Sequence, residues 1–233
     1  MSAEVLFAQV TGREKVRPEQ KSVVQAGVWT PEKFGREQIQ GLVRQVFLSK
    51  AERPVRQVVF SALEPETDVK DICRQVGEAL AMETTGRIAV VGEYPQILRD
   101  AGTNKPEMSE RAFNDRPTPR QGAIRVQGNL WLVPAQGTDG SRGATAWLHS
   151  YLGEMRREFE YSIVEGPPAG ESNEAMAMAQ FADGIILVLS ARHTRRITAR
   201  KTKEMLEAAR VRILGTVLSD RVFPIPHGIY RRL

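Results

Sequence analysis

Apolar residues in this chain gather into short runs separated by polar ones, and the runs follow two periods. Six are brief and nearly continuous: Gln57–Ser61, Ile88–Val91, Leu130–Val133, Tyr161–Val164, Ile185–Leu189 and Ile213–Leu218. A strand covered on both faces needs such a run, so these predict buried parallel strands. Between them apolar residues recur every three or four positions. Phe34–Phe47 sets Ile39, Leu42, Val43, Val46 and Phe47 at helical spacing, and Thr30-Pro31-Glu32 supplies a helix start with a cap residue before proline. Asp71–Met82, Ala144–Arg157, Asn173–Phe181 and Arg195–Ala209 read as further helices. Strands alternating with helices predict an α/β fold, a doubly wound and mainly parallel sheet.

Two stretches break the alternation. Residues 1–30 are polar and mixed, which predicts an arm with at most one short strand around Val5–Val10. Residues 98–127 hold Pro106, Pro117, Pro119, several charges and few apolar positions, and are expected to form a long loop excursion. The chain thus divides into an arm, 1–30, and one α/β domain, 31–233.

Composition narrows the picture modestly. A chain of 233 residues with 41% hydrophobic content can bury one core of this kind. The net charge is +5, but 33 basic residues are interspersed with 28 acidic ones, which predicts a mixed solvated surface. The densest basic run is Arg192, Arg195, Arg196, Arg200, Lys201 and Lys203, on a helix whose Ile197, Met205 and Leu206 are set to face the sheet. An acidic partner surface suits it better than nucleic acid, because no recognition motif or aromatic interleaving accompanies it. A single cysteine, Cys73, excludes an intramolecular disulfide and suits a reducing cytosol. It is expected to be a buried apolar residue and not a nucleophile. No apolar run is long enough to span a bilayer and Met1–Lys15 does not read as a signal peptide, so a cytoplasmic protein is expected, reaching a membrane only through a partner.

In a doubly wound sheet, ligands bind at the carboxyl ends of the strands. The loop after the first strand, Ser61 to Lys70, contains no glycine and carries Glu64, Glu66 and Asp68. A phosphate cradle needs glycines so that backbone N–H groups converge on the anion, a lysine for the outer phosphates and a hydroxyl for magnesium. Here the one basic residue is Lys70. After the second strand comes Gly92-Glu93-Tyr94-Pro95, and after the Tyr161 strand Glu165-Gly166-Pro167-Pro168. Gly137, Gly140 and Gly143 precede a helix and offer a weaker candidate anion nest. His149, His193 and His227 lack metal-ligand spacing.

Phe159–Pro168, then Ala182-Asp183-Gly184-Ile185-Ile186-Leu187-Val188 and Thr194-Arg195-Arg196, resemble the later half of the capsule-type bacterial tyrosine kinases, the CpsD/CapB group of the MinD/ParA-like P-loop ATPases. Asn129–Ala135, Ile213–Leu218, Val59–Ala62 and Val76–Ala81 resemble further strands and P-loop flanks of that family. The resemblance implies a nucleotide pocket at Asp68, Val69, Lys70, Gly92, Tyr94, Glu165 and Ser219, and every one of these positions departs from the family pattern. Its P-loop glycine-lysine-hydroxyl falls on Asp68, Val69 and Lys70, its two aspartates on Gly92 and Tyr94, its third on Glu165, and its base-contacting asparagine on Ser219. The family's ring-assembly motif maps near Glu37, Gln40 and Val43, with Arg44 adjacent. Its C-terminal tyrosine cluster shrinks to Tyr230.

Phosphoryl transfer depends on positioning and on electrostatic stabilisation of phosphates and metal. The resemblance with these losses therefore implies a degenerate, non-catalytic member. Such a protein would need no cofactor and would act as regulator or scaffold in exopolysaccharide or capsule synthesis and export. Its partner would be the cytoplasmic segment of a membrane polysaccharide co-polymerase, with a homo-oligomer also open and Glu37, Arg44, Arg195 and Arg196 as candidate contacts. Two alternatives stand beside it. One is a divergent ATPase or tyrosine kinase using Lys70 and Glu165 with ATP and Mg. The other is a MinD/ParA-like positioning factor.

Overall fold

The computed structural model describes residues 31–50, 52–92, 122–135 and 144–220. Helix α1 (Pro31–Val46) leads into β1 (Gln57–Ala62), followed by α2 (Lys70–Glu83) and β2 (Ile88–Gly92). A hairpin of β3 (Ile124–Gln127) and β4 (Leu130–Pro134) comes next, then α3 (Ala144–Glu158), β5 (Tyr161–Glu165), α4 (Asn173–Phe181), β6 (Gly184–Ser190), α5 (Arg196–Ala208) and β7 (Ile213–Ser219). The seven strands form one sheet in the order β3-β4-β2-β5-β1-β6-β7. All neighbours are parallel except β3 and β4. The expected α/β sheet is therefore present, and each of the six anticipated strands lies within a residue of its place.

The central strands are apolar throughout because both faces are covered. All six residues of β1 are buried. Val58, Phe60 and Ala62 pack with Val43 of α1, with Phe47 just after it, and with Cys73, Val76 and Leu80 of α2. Val59, one step out of phase, joins the opposite core with Leu152 and Met155 of α3, Ala175 and Met178 of α4, and Leu206 of α5. The period-2 alternation of the strand thus distributes β1 between two helical layers. Gly77 lets α2 lie close to the sheet, since a Cβ there would collide with the Val90 side chain.

At the amino edge, Asp183 ties two strands together. Its Oδ2 accepts from the backbone N–H groups of Arg56 and Gln57 at 2.7 and 2.8 Å, and its Oδ1 accepts from Arg156 at 2.9 Å.

Two expectations change. The long excursion proposed for 98–127 ends early, because Ile124–Gln127 is a seventh strand, antiparallel to β4. Its signal is weak because it is an edge strand with three exposed residues, so its apolar content is low. The connection is a two-residue loop, Gly128-Asn129, with Gly128 at φ +47°. That pair is a hairpin signature. Asn129 anchors the loop by donating to the carbonyls of Thr84 and Gly86 at 2.8 and 2.6 Å. Ile197 does not face the sheet: it is 63% exposed. Thr202 and Leu206 form the buried face of α5, and Ile197 falls outside their i, i+4 row. The arm at 1–30, the strand at Val5–Val10, most of the 98–127 stretch, the glycines at 137, 140 and 143, and Tyr94 and Tyr230 lie outside the described residues.

Candidate functional site

The carboxyl ends of β1, β2, β4 and β5 open into a cavity of about 590 Å³. Its floor comes from the strand ends, at Ala62, Gly92 and Glu165. The loop from Pro65 to Lys70 forms one wall, while Trp147 and Tyr151 of α3 with Glu174 and Met178 of α4 form another. The loop after β5 is fastened to β1, since the N–H groups of Gly166 and Ala169 donate to the carbonyls of Phe60 and Ala62 at 2.8 and 2.7 Å. Ser61 Oγ donates to the Pro167 carbonyl beside them.

Five of the seven positions expected to form a nucleotide pocket meet here: Asp68, Val69, Lys70, Gly92 and Glu165. Ser219 does not line this cavity. Its Oγ lies 3.3 Å from the Leu189 carbonyl and 3.3 Å from Asp220 Oδ2, in a network at the ends of β6 and β7. There Ser190 Oγ donates to Asp220 Oδ2 at 2.9 Å. Thr194 Oγ1 accepts from the Ser190 N–H at 2.9 Å and donates to Glu64 Oε2 at 2.7 Å. Glu64, from the first loop, is thereby committed to this network.

A triphosphate would need the amino end of α2, where free N–H groups and the helix dipole favour an anion. That end is already engaged. The Asp68 carboxylate accepts from the Lys70 N–H at 2.9 Å, and Val69 precedes the helix with αR dihedrals and no side-chain cap of its own. The loop has no glycine to widen it into a nest. Among the described residues the cavity lining holds the acidic Glu66, Asp68, Glu165 and Glu174 and the basic Lys70. These described residues do not form a triphosphate cradle. No group of three or more metal-ligating side chains occurs among the described residues.

Cys73 lies under this site, fully buried. Burial pushes its thiol well above the ordinary range, and the carboxylates of Glu165 and Asp68 push it further. It stays protonated and packs as an apolar residue, as its helical context implied.

Several lining groups escaped sequence reasoning. Trp147 and Tyr151 stack with ring centroids 5.0 Å apart and planes inclined by 8°. Their i, i+4 spacing on a predicted helix was the available signal. Tyr151 is 3% exposed, and desolvation pushes its phenol far above the usual range, so the hydroxyl remains neutral. Its oxygen and Thr67 Oγ1 are both buried without a hydrogen-bond partner among the described residues.

The proposed assembly residues divide. Val43 is fully buried against α2 and the sheet, so it is unavailable to a partner. Arg44 bridges to Glu83 Oε1 of α2 at 2.6 Å. Glu37, Arg195 and Arg196 are exposed. Further along α5, Arg200 and Lys203 pair with Glu204 and Glu207 at 3.2 and 3.5 Å, which neutralises part of the basic run. Among the described residues no helix is long and apolar enough to cross a membrane.

No family model matches the chain. One segment is 31% identical over 74 residues to the tyrosine-protein kinase CpsD of Streptococcus agalactiae serotype III, covering 32% of this chain and 32% of that protein. That segment of the chain is homologous to part of the CpsD tyrosine kinases. The matched segment spans about a third of the relative's length. In three dimensions the chain superposes on the kinase domain of VpsO with a TM-score of 0.62, covering 82% of this chain and 98% of that domain at 18% identity. MinD of Aquifex aeolicus superposes with a TM-score of 0.54, covering 76% and 73% of the two chains at 16% identity. The shared fold is that of these tyrosine-kinase domains and MinD-like proteins.

Proposed function

We propose that this protein is a non-catalytic relative of the capsule-type tyrosine kinases, acting as a regulator or scaffold in exopolysaccharide or capsule synthesis and export. In this reading it docks on the cytoplasmic segment of a membrane polysaccharide co-polymerase. The framework of strands and helices is kept as a binding platform while phosphoryl transfer is lost. The observation that carries the reading is the Asp68 carboxylate on the amino end of α2, in a loop without glycine. An anion held there by the chain itself both occupies the N–H group and repels an incoming phosphate. Sequestration of Ser219 between Leu189 and Asp220 supports the same view on the side where the family resemblance sets the base.

The test is calorimetric titration of the full chain with Mg-ATP, an active CpsD-type kinase serving as positive control. The expected result is no saturable binding by this chain under conditions where the control binds. Tight magnesium-dependent binding would sink the proposal.

A second reading, a divergent kinase or ATPase, draws on one observation: Lys70 and Glu165 line the same cavity. It requires measurable turnover that Lys70→Ala destroys. Turnover that is absent, or indifferent to that substitution, removes it.

A further inference from the structure

The sheet has two outer edges, and they are built differently. β3 is a guarded edge. It has four residues, three of them exposed, and its register with β4 breaks between Arg125 and Gln127. The Arg125 guanidinium lies 6.0 Å from the centre of the Trp131 ring. Short length, a bulge and a charge keep an open strand from pairing with another chain. Most of β7 has none of these. Its seven residues, Ile213–Ser219, include no charge and no proline. Its register with β6 shifts once, at Leu214, and runs unbroken from Gly215 to Ser219. The Ser219 carbonyl accepts from the Ala191 N–H at 3.0 Å, so the Ser219 backbone faces the β6 side. Alternation along the strand then turns the N–H and C=O groups of Thr216 and Leu218 outward. Both residues are exposed, Leu218 by 56%, and among the described residues β7 has no neighbour but β6. An uncharged edge of this length is a template for one more strand.

One segment of the chain suits that edge. Val5-Leu6-Phe7-Ala8-Gln9-Val10 is β-branched or aromatic at three positions and has neither charge nor proline. A strand beside β7 meets apolar neighbours on both faces, since Leu214 and Val217 pack with the α1/α2 layer and Ile213 with the opposite one. Residues 11–30 can span about 65 Å when extended. They lead to α1, which packs on β1, two strands from β7. Other segments suit the edge less. Residues 221–233 are interrupted by Pro224 and Pro226, which cannot donate to a ladder. Residues 93–121 and 136–143 leave from β2 and β4, on the other side of the sheet.

We propose that Val5–Val10 adds to the outer edge of β7 as a further strand, so that the chain caps its own open edge. Backbone hydrogen bonds to Thr216 and Leu218 supply the attachment, and apolar contact with Val217 and Leu218 adds to it. The assignment is independent of whether the cavity takes nucleotide.

The test is site-resolved hydrogen–deuterium exchange on the full chain, at low and at high protein concentration. A double variant, Phe7→Pro with Ala8→Pro, removes a donor on each side of the run, whichever side faces β7. Gln25→Pro with Ala26→Pro makes the same kind of change outside the run, and thermal melts verify that both variants fold. The Thr216 and Leu218 amides are expected to exchange at least about tenfold more slowly in the native chain than in the first variant, the scale of one backbone hydrogen bond in local opening. The second variant is expected to exchange like the native chain. Rapid exchange of both amides in the native chain overturns the proposal. Protection that survives the first variant assigns the cover to another segment, and protection that appears only at high concentration assigns it to a second copy. Either result overturns the proposal as well.

Discussion

The carboxyl edge of the sheet has two halves that solve the same problem differently. At the ends of β6 and β7, Thr194, Ser190, Ser219 and Asp220 satisfy one another, and Glu64 is drawn across from the first loop to join them. At the ends of β1 and β5 the wall residues Thr67 and Tyr151 bury hydroxyls without such partners, around a cavity of about 590 Å³. Both halves lie where a doubly wound sheet binds ligands. One has been closed by its own side chains, and the other keeps room and unmet hydrogen-bonding capacity.

The contrast can be broken most sharply at Thr194. Thr194→Val deletes the hydroxyl that joins the Ser190 N–H to Glu64. Losing both bonds should destabilise the protein by about 2 kcal/mol, the range for stranding a partly buried partner of a charged group. For a domain of this size that is a melting-temperature fall of roughly 4–8 °C. A melt unchanged within error would mean the β6/β7 half is not the satisfied network described.

The opposite sign is expected on the other half. Without ligand, Thr67→Val and Tyr151→Phe remove buried hydroxyls that lack partners. Each should leave stability unchanged or raise it, by no more than about 1 kcal/mol. A loss larger than that in chemical denaturation would show that the hydroxyl is already satisfied, and the two halves would then be alike.

The smallest effect concerns the first turn of α2, which leads out of the cavity wall. Arg74 hydrogen-bonds Asp71 Oδ1 at 2.7 Å and lowers its carboxyl below the usual value, against a smaller opposing push from burial. A depressed folded-state value means stabilisation that is present above the unfolded carboxylate range and lost as pH falls through the folded value. The group is largely exposed, so the contribution is slight and screened by salt. Comparing acid unfolding of the native chain and Asp71→Asn should show a small difference at neutral pH that closes as acid is added. A difference that widens in acid would contradict the sign.

Much of the architecture was legible because local and global requirements coincide. The continuous apolar runs at Val58–Phe60 and Ile185–Leu189 can sit only where both faces of a sheet are covered, and that is where they lie. The β3 strand was hidden because an edge position does not require an apolar run, and only the Gly128-Asn129 pair marked it. At the site, the charge and glycine content of the first loop were readable from the chain. The destination of each carboxylate was not. Glu64, Glu66 and Asp68 look alike in sequence, yet Glu64 joins Thr194, a contact across 130 positions, while Asp68 caps α2 two residues away.

By itself the amino-acid sequence determined the alternating α/β plan, the resemblance to CpsD kinases and the absence of glycines from the first loop, because each follows from residue type and spacing within a short window. Only the tertiary structure decided that Asp68 occupies the amino end of α2, that Ser219 is withdrawn into a network with Asp220, and that Thr67 and Tyr151 line one cavity. Those outcomes depend on which strand ends lie side by side. Sheet order, here with β1 between β5 and β6, is set by packing among residues far apart in the chain.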